Sequence, residues 1–389
     1  MKFLLIPDKF KGSLDAEEVI RAISDGLYGV FPDAEIHSAL VSDGGDGFLG
    51  AVSKKLDVAE ISVNTVDPLG RALQALYLFN RSTRTAYIEL AKASGLELLK
   101  DGERDVMHTS TYGTGLQIRD ALEKGATRIY LGLGGSATND AGMGIAKALG
   151  YRFLDPSGNE LAPVGDNLGK IAAIEKPGVV KIGGKVGFQG DTVRFDTDKI
   201  QFFAVNDVDN PLYGPQGAAY VYAEQKGANP QEVELLDAGL RHLDRIVTGG
   251  LGKNAANTPG AGAAGGTAYG LQVFLNAEFL PGVTFVLQLA QVEQLLTEKN
   301  FDFIITGEGK FDQQTLHGKL IKGVRDVGMC HGVPVIVICG MLDVDPKSLR
   351  NFGLEEVLEI RDTSKSLPYN MQHAARLIQE SIYRYFNNH

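Results

Sequence analysis

Six short segments combine glycine with acidic, amide, hydroxyl or lysine side chains, and each follows a run that reads as a β-strand or lies where one is expected. The first is Asp8-Lys9-Phe10-Lys11-Gly12-Ser13. Lysine, a hydroxyl and the free N–H groups of a following helix suit a phosphate or a carboxylate, although a plain capped turn with surface lysines has the same composition. The second, Ser42-Asp43-Gly44-Gly45-Asp46-Gly47, sets two carboxylates across Gly44 and Gly45. That pattern suits Mg²⁺, a hard ion that prefers oxygen, or a tight Asp/Gly turn. The third is Gly132-Leu133-Gly134-Gly135-Ser136-Ala137-Thr138-Asn139-Asp140, and the fourth is Asn206-Asp207-Val208-Asp209-Asn210-Pro211. The fourth is dense in hydrogen-bonding and metal-ligating groups, or is a turn before Pro211. In the fifth, Pro259-Gly260-Ala261-Gly262-Ala263-Ala264-Gly265-Gly266-Thr267, no side chain after Pro259 is larger than threonine. Such backbone either links elements or presses close to a ligand. The sixth, Thr306-Gly307-Glu308-Gly309-Lys310-Phe311-Asp312-Gln313-Gln314-Thr315, leads to His317-Gly318-Lys319. Lys310 beside oxygens, with Glu308 or Asp312 for metal or base work, suits phosphoryl transfer; a surface salt bridge on a strand–helix loop is the plainer alternative.

The third segment carries two readings. It matches a G-x-G-x-x-A dinucleotide fingerprint, and Asp155 ends a second apolar run near the distance expected of a ribose-binding acid. Asp140, however, stands at the start of the following helix, where it would repel a pyrophosphate unless a metal intervened. Gly-Leu-Gly-Gly-Ser also resembles the phosphate loop of small-molecule kinases of the galactokinase type, without its leading proline. An Asn139-Asp140 pair beside a phosphate cradle favours Mg²⁺–ATP over NAD(P). The oxidoreductase reading of residues 128–155 and a non-catalytic hydroxy-acid sensor stay open as alternatives.

Other chemistries have no footing. There is no G-x-x-x-x-G-K-[ST], D-F-G, H-R-D or G-x-S-x-G, and the seven histidines form no H-x-x-x-H pair. The net charge of −10 argues against a nucleic-acid partner, which needs a positive face. Cys330 and Cys339 have neither CxxC spacing nor histidines at zinc-ligand spacing, and read as reduced cysteines of a cytoplasmic protein. No apolar run approaches the roughly 18 residues of a membrane span. The run at residues 3–6 is cut off by Pro7, Asp8 and Lys9, far short of a secretory signal.

The elements that must position these segments follow from periodicity. Residues 3–30 read as strand, loop, helix, with Val19, Ile20, Ile23, Leu27 and Val30 at helical spacing and Ser13 as N-cap. The grammar recurs at the other end. Strands are expected at 301–306, 333–339 and 357–360, a loop from 307, and helices at about 317–329 and 374–385. Near-continuous apolar strands alternating with helices imply a parallel sheet covered on both faces. The middle differs: a hairpin at 75–90, then helix, strand, helix, strand over 110–155, short strands over 176–205, and a glycine-rich loop at 249–267. The expected architecture is α/β with two domains. Residues 1–68 and 284–389 form a discontinuous doubly wound domain with a parallel sheet, and residues 69–283 a mixed α/β domain.

Taken in order, the six segments resemble the signature segments of the bacterial type 1 glycerate kinases, over about residues 1–385. Lys9, Asp46, Phe48 and Asn206 depart from the usual pattern, at positions where serine, glutamate, a small polar residue and cysteine are common. The resemblance implies ATP- and Mg²⁺-dependent phosphorylation of D-glycerate, at the 2-hydroxyl, in glyoxylate-linked carbon metabolism. It also implies a flavodoxin-like first domain, a site in the cleft between the domains, and a monomer or homodimer. Loop placement then suggests roles. Gly132, Gly134, Gly135 and Ser136 with Gly262, Gly265 and Gly266 cradle phosphates; Asp43, Asp140 and Asp207 contact Mg²⁺; Lys11 and Lys310 face the γ-phosphate or the substrate carboxylate. Asp312 is the expected base and Glu308 the second candidate. Asp8, Lys9, Ser13, Gly44, Gly45, Asn139, Asn206 and Asp209 complete the expected binding set.

Overall fold

A computed structural model describes residues 1–41, 48–177, 181–182, 185–186, 199–316 and 320–388. The chain divides into two compact units, Met1–Asp43 with Gly282–His389, and Gly44–Pro281.

The first unit is built on five parallel strands in the order Glu356–Glu359, Val335–Asp343, Phe303–Asp312, Lys2–Pro7, Glu35–Ser38. Counted along the chain this is 2-1-3-4-5, the flavodoxin-like doubly wound order. Alternate residues of the central strands face opposite ways. Phe3, Leu5, Ile305, Ile336 and Ile338 join Val19, Ile23 and Leu27 of the Ala16–Tyr28 helix and Ile378 and Ile382 of the Ala374–Asn388 helix. On the other face Phe311, Val337 and Cys339 pack with Ile321 of the Leu320–His331 helix and with Phe352. At one point the two closing helices nearly touch, because a β-carbon at Gly26 would lie 2.8 Å from the Gln379 carbonyl oxygen.

Three local expectations are corrected here. The N-cap of the first helix is Asp15, which forms a reciprocal box with Glu18, whereas the Ser13 hydroxyl donates to the Met371 carbonyl. The strand expected to end at Thr306 continues to Asp312, because residues 310–312 pair with residues 341–343 of its neighbour. The helix after it spans Leu320–His331, preceded by a turn of helix at Gln313–Leu316; His317, Gly318 and Lys319 lie outside the described residues.

The second unit carries a six-stranded mixed sheet, ordered Glu278–Leu280, Gln201–Val205, Arg128–Gly132, Thr85–Glu89, Ala72–Asn80, Ala59–Val66. The first four are parallel, and the last two add antiparallel through the expected hairpin. The boundary expected near residue 68 therefore falls earlier. Residues 59–66 pair along their whole length with residues 72–80, and a strand belongs to the sheet that satisfies its backbone. The fifth segment is less of a loop than its composition suggests, since the helices Pro230–Leu251 and Ala263–Leu275 occupy its flanks.

Candidate active site

In open α/β sheets, ligands bind beyond the carboxyl ends of strands, at the point where strand order reverses. In the first unit that point lies between Lys2–Pro7 and Phe303–Asp312. The first and sixth segments meet there. The Asp8 N–H donates to the Gly307 carbonyl at 2.8 Å, and a β-carbon at Gly309 would sit 3.4 Å from the Lys11 nitrogen. Residues 10–14 close a tight turn in which Phe10 and Leu14 bond each other's backbone, so Lys9, Lys11 and Gly12 are exposed at its tip.

The sixth segment holds a compact polar network. Glu308 is buried, and its Oε1 accepts the Thr315 hydroxyl, which in turn accepts the Asp312 N–H at 3.1 Å. Lys310 is half-exposed and lies 2.7 Å from Asp343 and 3.6 Å from Asp312. The Asp343 carboxylate holds the Lys310 ammonium above its usual pKa, and Lys310 holds Asp343 below its own. Asp343 was not anticipated; it ends a strand whose apolar core masks its place in register with Asp312.

In the second unit Glu89, Gly132 and Val205 end neighbouring parallel strands in one register, and the third, fourth and fifth segments gather beyond them. The third segment turns through Gly135 at φ +73°, bridged to residues 94–96 by Leu96 N–H to Gly135 carbonyl and Ala137 N–H to Ser94 carbonyl. The N–H groups of Gly134, Gly135 and Ser136 donate to no acceptor among the described residues. Consecutive unengaged N–H groups around a left-handed residue form an anion-binding concavity. Gly134 and Gly135 are exposed, whereas Gly132 is covered: a β-carbon there would lie 2.8 Å from the Phe48 ring.

The glycines of the fifth segment serve close packing. A β-carbon at Gly265 (φ +65°) would fall 2.0 Å from the Thr138 carbonyl oxygen, and one at Gly262 2.3 Å from the Pro211 carbonyl oxygen. At Gly260 (φ +89°) it would meet Asn206 Oδ1 at 3.0 Å. Gly262 also donates its N–H to Asn210. Gly265 and Gly266 are buried against the third segment and its neighbours, so they back its turn. Asn206 Oδ1 caps its own turn through the Val208 N–H, while Asp207 and Asp209 are exposed. Asn210 is bound by the Tyr222 hydroxyl at 2.6 Å.

Asp140 departs from its expected metal role. It is fully buried, and its oxygens accept from Thr111 N–H and Oγ1 (both 2.8 Å), Gly142 N–H (3.1 Å) and Gly144 N–H (3.2 Å). Burial pushes its carboxyl pKa up, against the pull of those four donors. It fastens the third segment to Thr111 and to residues 142–144. Asn139 is also wholly buried, and neither its amide oxygen nor its nitrogen has a partner. Among the described residues no three acids, histidines or cysteines are grouped to hold a metal. Asp43, Gly44, Gly45 and Asp46 lie outside the described residues.

The dinucleotide reading fails on topology. It needs a second strand parallel to Arg128–Gly132, but Arg152–Leu154 leaves the main sheet and pairs antiparallel with Ala173–Glu175. Asp155 accepts the Ser157 and Asn159 N–H groups of its own turn. Sequence reasoning also missed Lys226, a lysine only 3% exposed, and Glu89, a buried acid ending an otherwise uncharged strand. Glu89 carried a readable signal in that position, but Lys226 sits in a polar stretch that reads as surface.

No described helix is long and apolar enough to cross a membrane. The family model for the glycerate kinase family matches residues 3–388. The chain is 38% identical to a glycerate kinase of Halalkalibacterium halodurans over 97% of its own length and 95% of the relative's. It is 37% identical to the glycerate 2-kinase of Escherichia coli K12, over 92% and 90%. A crystal structure from Salmonella typhimurium LT2, described as a glycerate kinase 2, superposes with a TM-score of 0.78 at 33% identity, covering 100% of this chain and 98% of that one. The chain belongs to the glycerate kinase family.

Proposed function

We propose that this enzyme transfers the γ-phosphoryl group of Mg²⁺-bound ATP to D-glycerate and releases 2-phosphoglycerate and ADP. Family membership makes it a kinase with an alcohol acceptor. The name of the E. coli relative, glycerate 2-kinase, supports the 2-hydroxyl. The observation that carries the nucleotide part is the run of N–H groups at Gly134, Gly135 and Ser136, unengaged among the described residues, which fits phosphate oxygens without spending a side-chain charge. Bound Mg²⁺ supplies charge neutralisation on the transferring group. Asp207, exposed in the fourth segment, would hold it, with Asp209 and Asn206 beside it and Asp43 as the further candidate.

The protein's own part is alignment and proton transfer. The glycerate hydroxyl oxygen bonds to the γ-phosphorus as the bond to the β–γ bridging oxygen breaks, and ADP leaves with that electron pair. Asp312 takes the hydroxyl proton, with Glu308 as the second candidate. Lys11 and Lys310, whose segments adjoin at Gly309, face the transferred group or the substrate carboxylate. The test is ADP release from Mg²⁺–ATP with and without D-glycerate, with the product coupled separately to consumption of 2- and 3-phosphoglycerate. Glycerate-dependent release with a response only to the 2-phosphate enzyme supports the reading in full. Response only to the 3-phosphate enzyme overturns the regiochemistry. Release with another hydroxy acid alone overturns the substrate, and binding without turnover overturns catalysis.

A further inference from the structure

The least expected group in the second unit is Lys226. It lies at the end of the short Glu224–Lys226 helical turn and is 3% exposed. Its ammonium donates to Ser136 Oγ at 2.8 Å and to the Thr138 carbonyl oxygen at 2.8 Å. The segment is fixed in place, because Gly227 (φ +101°) lies so close to residue 104 that a β-carbon would meet the Arg104 carbonyl oxygen at 2.3 Å. Both ammonium partners are neutral oxygens. Asp140, the buried acid whose charge acts on it, has its own oxygens taken by Thr111, Gly142 and Gly144. A buried lysine with no carboxylate in contact is costly, and burial depresses its pKa to about 7 against the opposing pull of Asp140. A fold keeps such a group where the charge does something that a methionine of similar length would not.

The two residues it grips lie within and just after the run of unengaged N–H groups. Ser136 is the last of that run, and the Thr138 carbonyl is the surface on which Gly265 rests. The ammonium thus fixes the turn from beneath and places a positive charge under the concavity, where low dielectric strengthens its field. We propose that Lys226 is a positioning residue for a nucleotide phosphoryl group, acting through Ser136 and Thr138 to preset the residue 132–139 turn for a polyphosphate anion. This rests on the reading of that turn as a phosphate cradle.

The experiment uses the full chain and compares ADP with adenosine as probes by titration calorimetry, together with KM for ATP and for D-glycerate. Lys226→Met removes the charge at nearly constant volume; Lys226→Arg keeps it. The Met variant should bind ADP about 10–100-fold more weakly, as for loss of a charged hydrogen-bonding group. Its adenosine affinity and glycerate KM should stay within about twofold, and its unfolding midpoint should not fall, because burying an apolar chain costs less than burying the ion. The Arg variant should recover part of the ADP affinity. Equal losses for ADP and adenosine, or an ADP loss that appears only with a lowered midpoint, overturn the proposal. If the Met variant does not fold, Ser136→Ala substitutes: it should weaken ADP but not adenosine, and unchanged ADP binding would overturn the proposal. Gly135→Ala separates the cradle itself from the role of Lys226. If Gly135→Ala weakens ADP while Lys226→Met does not, the cradle stands and the role of Lys226 falls; if neither affects ADP, the cradle itself is wrong.

Discussion

Asp140→Asn separates a structural acid from a metal ligand, and its effect can be worked from the hydrogen bonds. Oδ2 accepts Thr111 N–H, Thr111 Oγ1, Gly144 N–H and, at 3.5 Å, Ser110 Oγ, and Oδ1 accepts only Gly142 N–H. The new amide loses least by placing its NH₂ at the Oδ1 position. It then leaves one buried N–H, that of Gly142, without an acceptor and facing another donor, at about 1–3 kcal/mol. The four bonds retained at Oδ2 lose their charge assistance, while the desolvation of an ion is relieved. The balance is a net destabilisation of about 3 kcal/mol. For a unit of this size that lowers the unfolding midpoint by roughly 6–12 °C. Thermal unfolding by circular dichroism, paired with the Mg²⁺ dependence of turnover at 20 °C, reads both roles. A lowered midpoint with unchanged apparent Mg²⁺ affinity is expected. An unchanged midpoint with a tenfold weaker Mg²⁺ dependence would overturn the structural role and return Asp140 to the metal.

Gly265→Ala should destabilise by more than about 3 kcal/mol in the same assay, since it adds left-handed strain to a contact of 2.0 Å with the Thr138 carbonyl oxygen. Gly249→Ala, inside the Pro230–Leu251 helix with open space around it, should stabilise by about 0.5–1 kcal/mol. Asp312→Asn should lower kcat by roughly 10²–10⁴-fold if Asp312 is the base, and a drop below tenfold with unchanged KM removes it from that role. His37 and Lys2 hold Glu35 down to about 2 from the ordinary value of 4.5, so its contribution is present above pH 4.5 and lost as pH falls from there towards 2. The midpoint difference between the native chain and Glu35→Gln should shrink across that window; a difference constant from pH 6 to 2.5 would show that the ion pair contributes nothing.

The strands of the first unit were legible because their burial on both faces leaves apolar runs that few other elements produce. What misled was glycine. Gly307 and Gly309 read as the start of a loop, yet they lie in a strand packed so tightly that β-carbons at Gly307 and Gly340 would meet the Ile338 and Gly309 carbonyl oxygens at 2.5 Å. The boundary near 68 was missed for a related reason. The strand Ala59–Val66 alternates buried and exposed residues, and nothing local tells which sheet it will join. Lys226 was invisible because burial of a lysine depends on contacts distant in sequence, here with residues 136 and 138.

The same distinction bears on how the site works. Glycines that touch a ligand and glycines that let backbones touch each other have one composition but opposite exposure. Gly134 and Gly135 are exposed and their N–H groups are unengaged among the described residues; Gly262, Gly265 and Gly266 are hidden behind them or engaged with residues 210–212. The fifth segment therefore contributes stiffness. By resting on the Thr138 carbonyl, Gly265 resists the flattening of the turn that Lys226 holds from the other partner atom, Ser136 Oγ. On the proposed reading of this turn as a phosphate cradle, it has little freedom to lose when an anion arrives, so more of each N–H···O interaction appears as affinity. Gly265→Ala should then weaken ADP beyond what its loss of stability explains at a temperature where the variant is fully folded. Equal ADP affinity under those conditions would show that the stiffness of the fifth segment is irrelevant to binding.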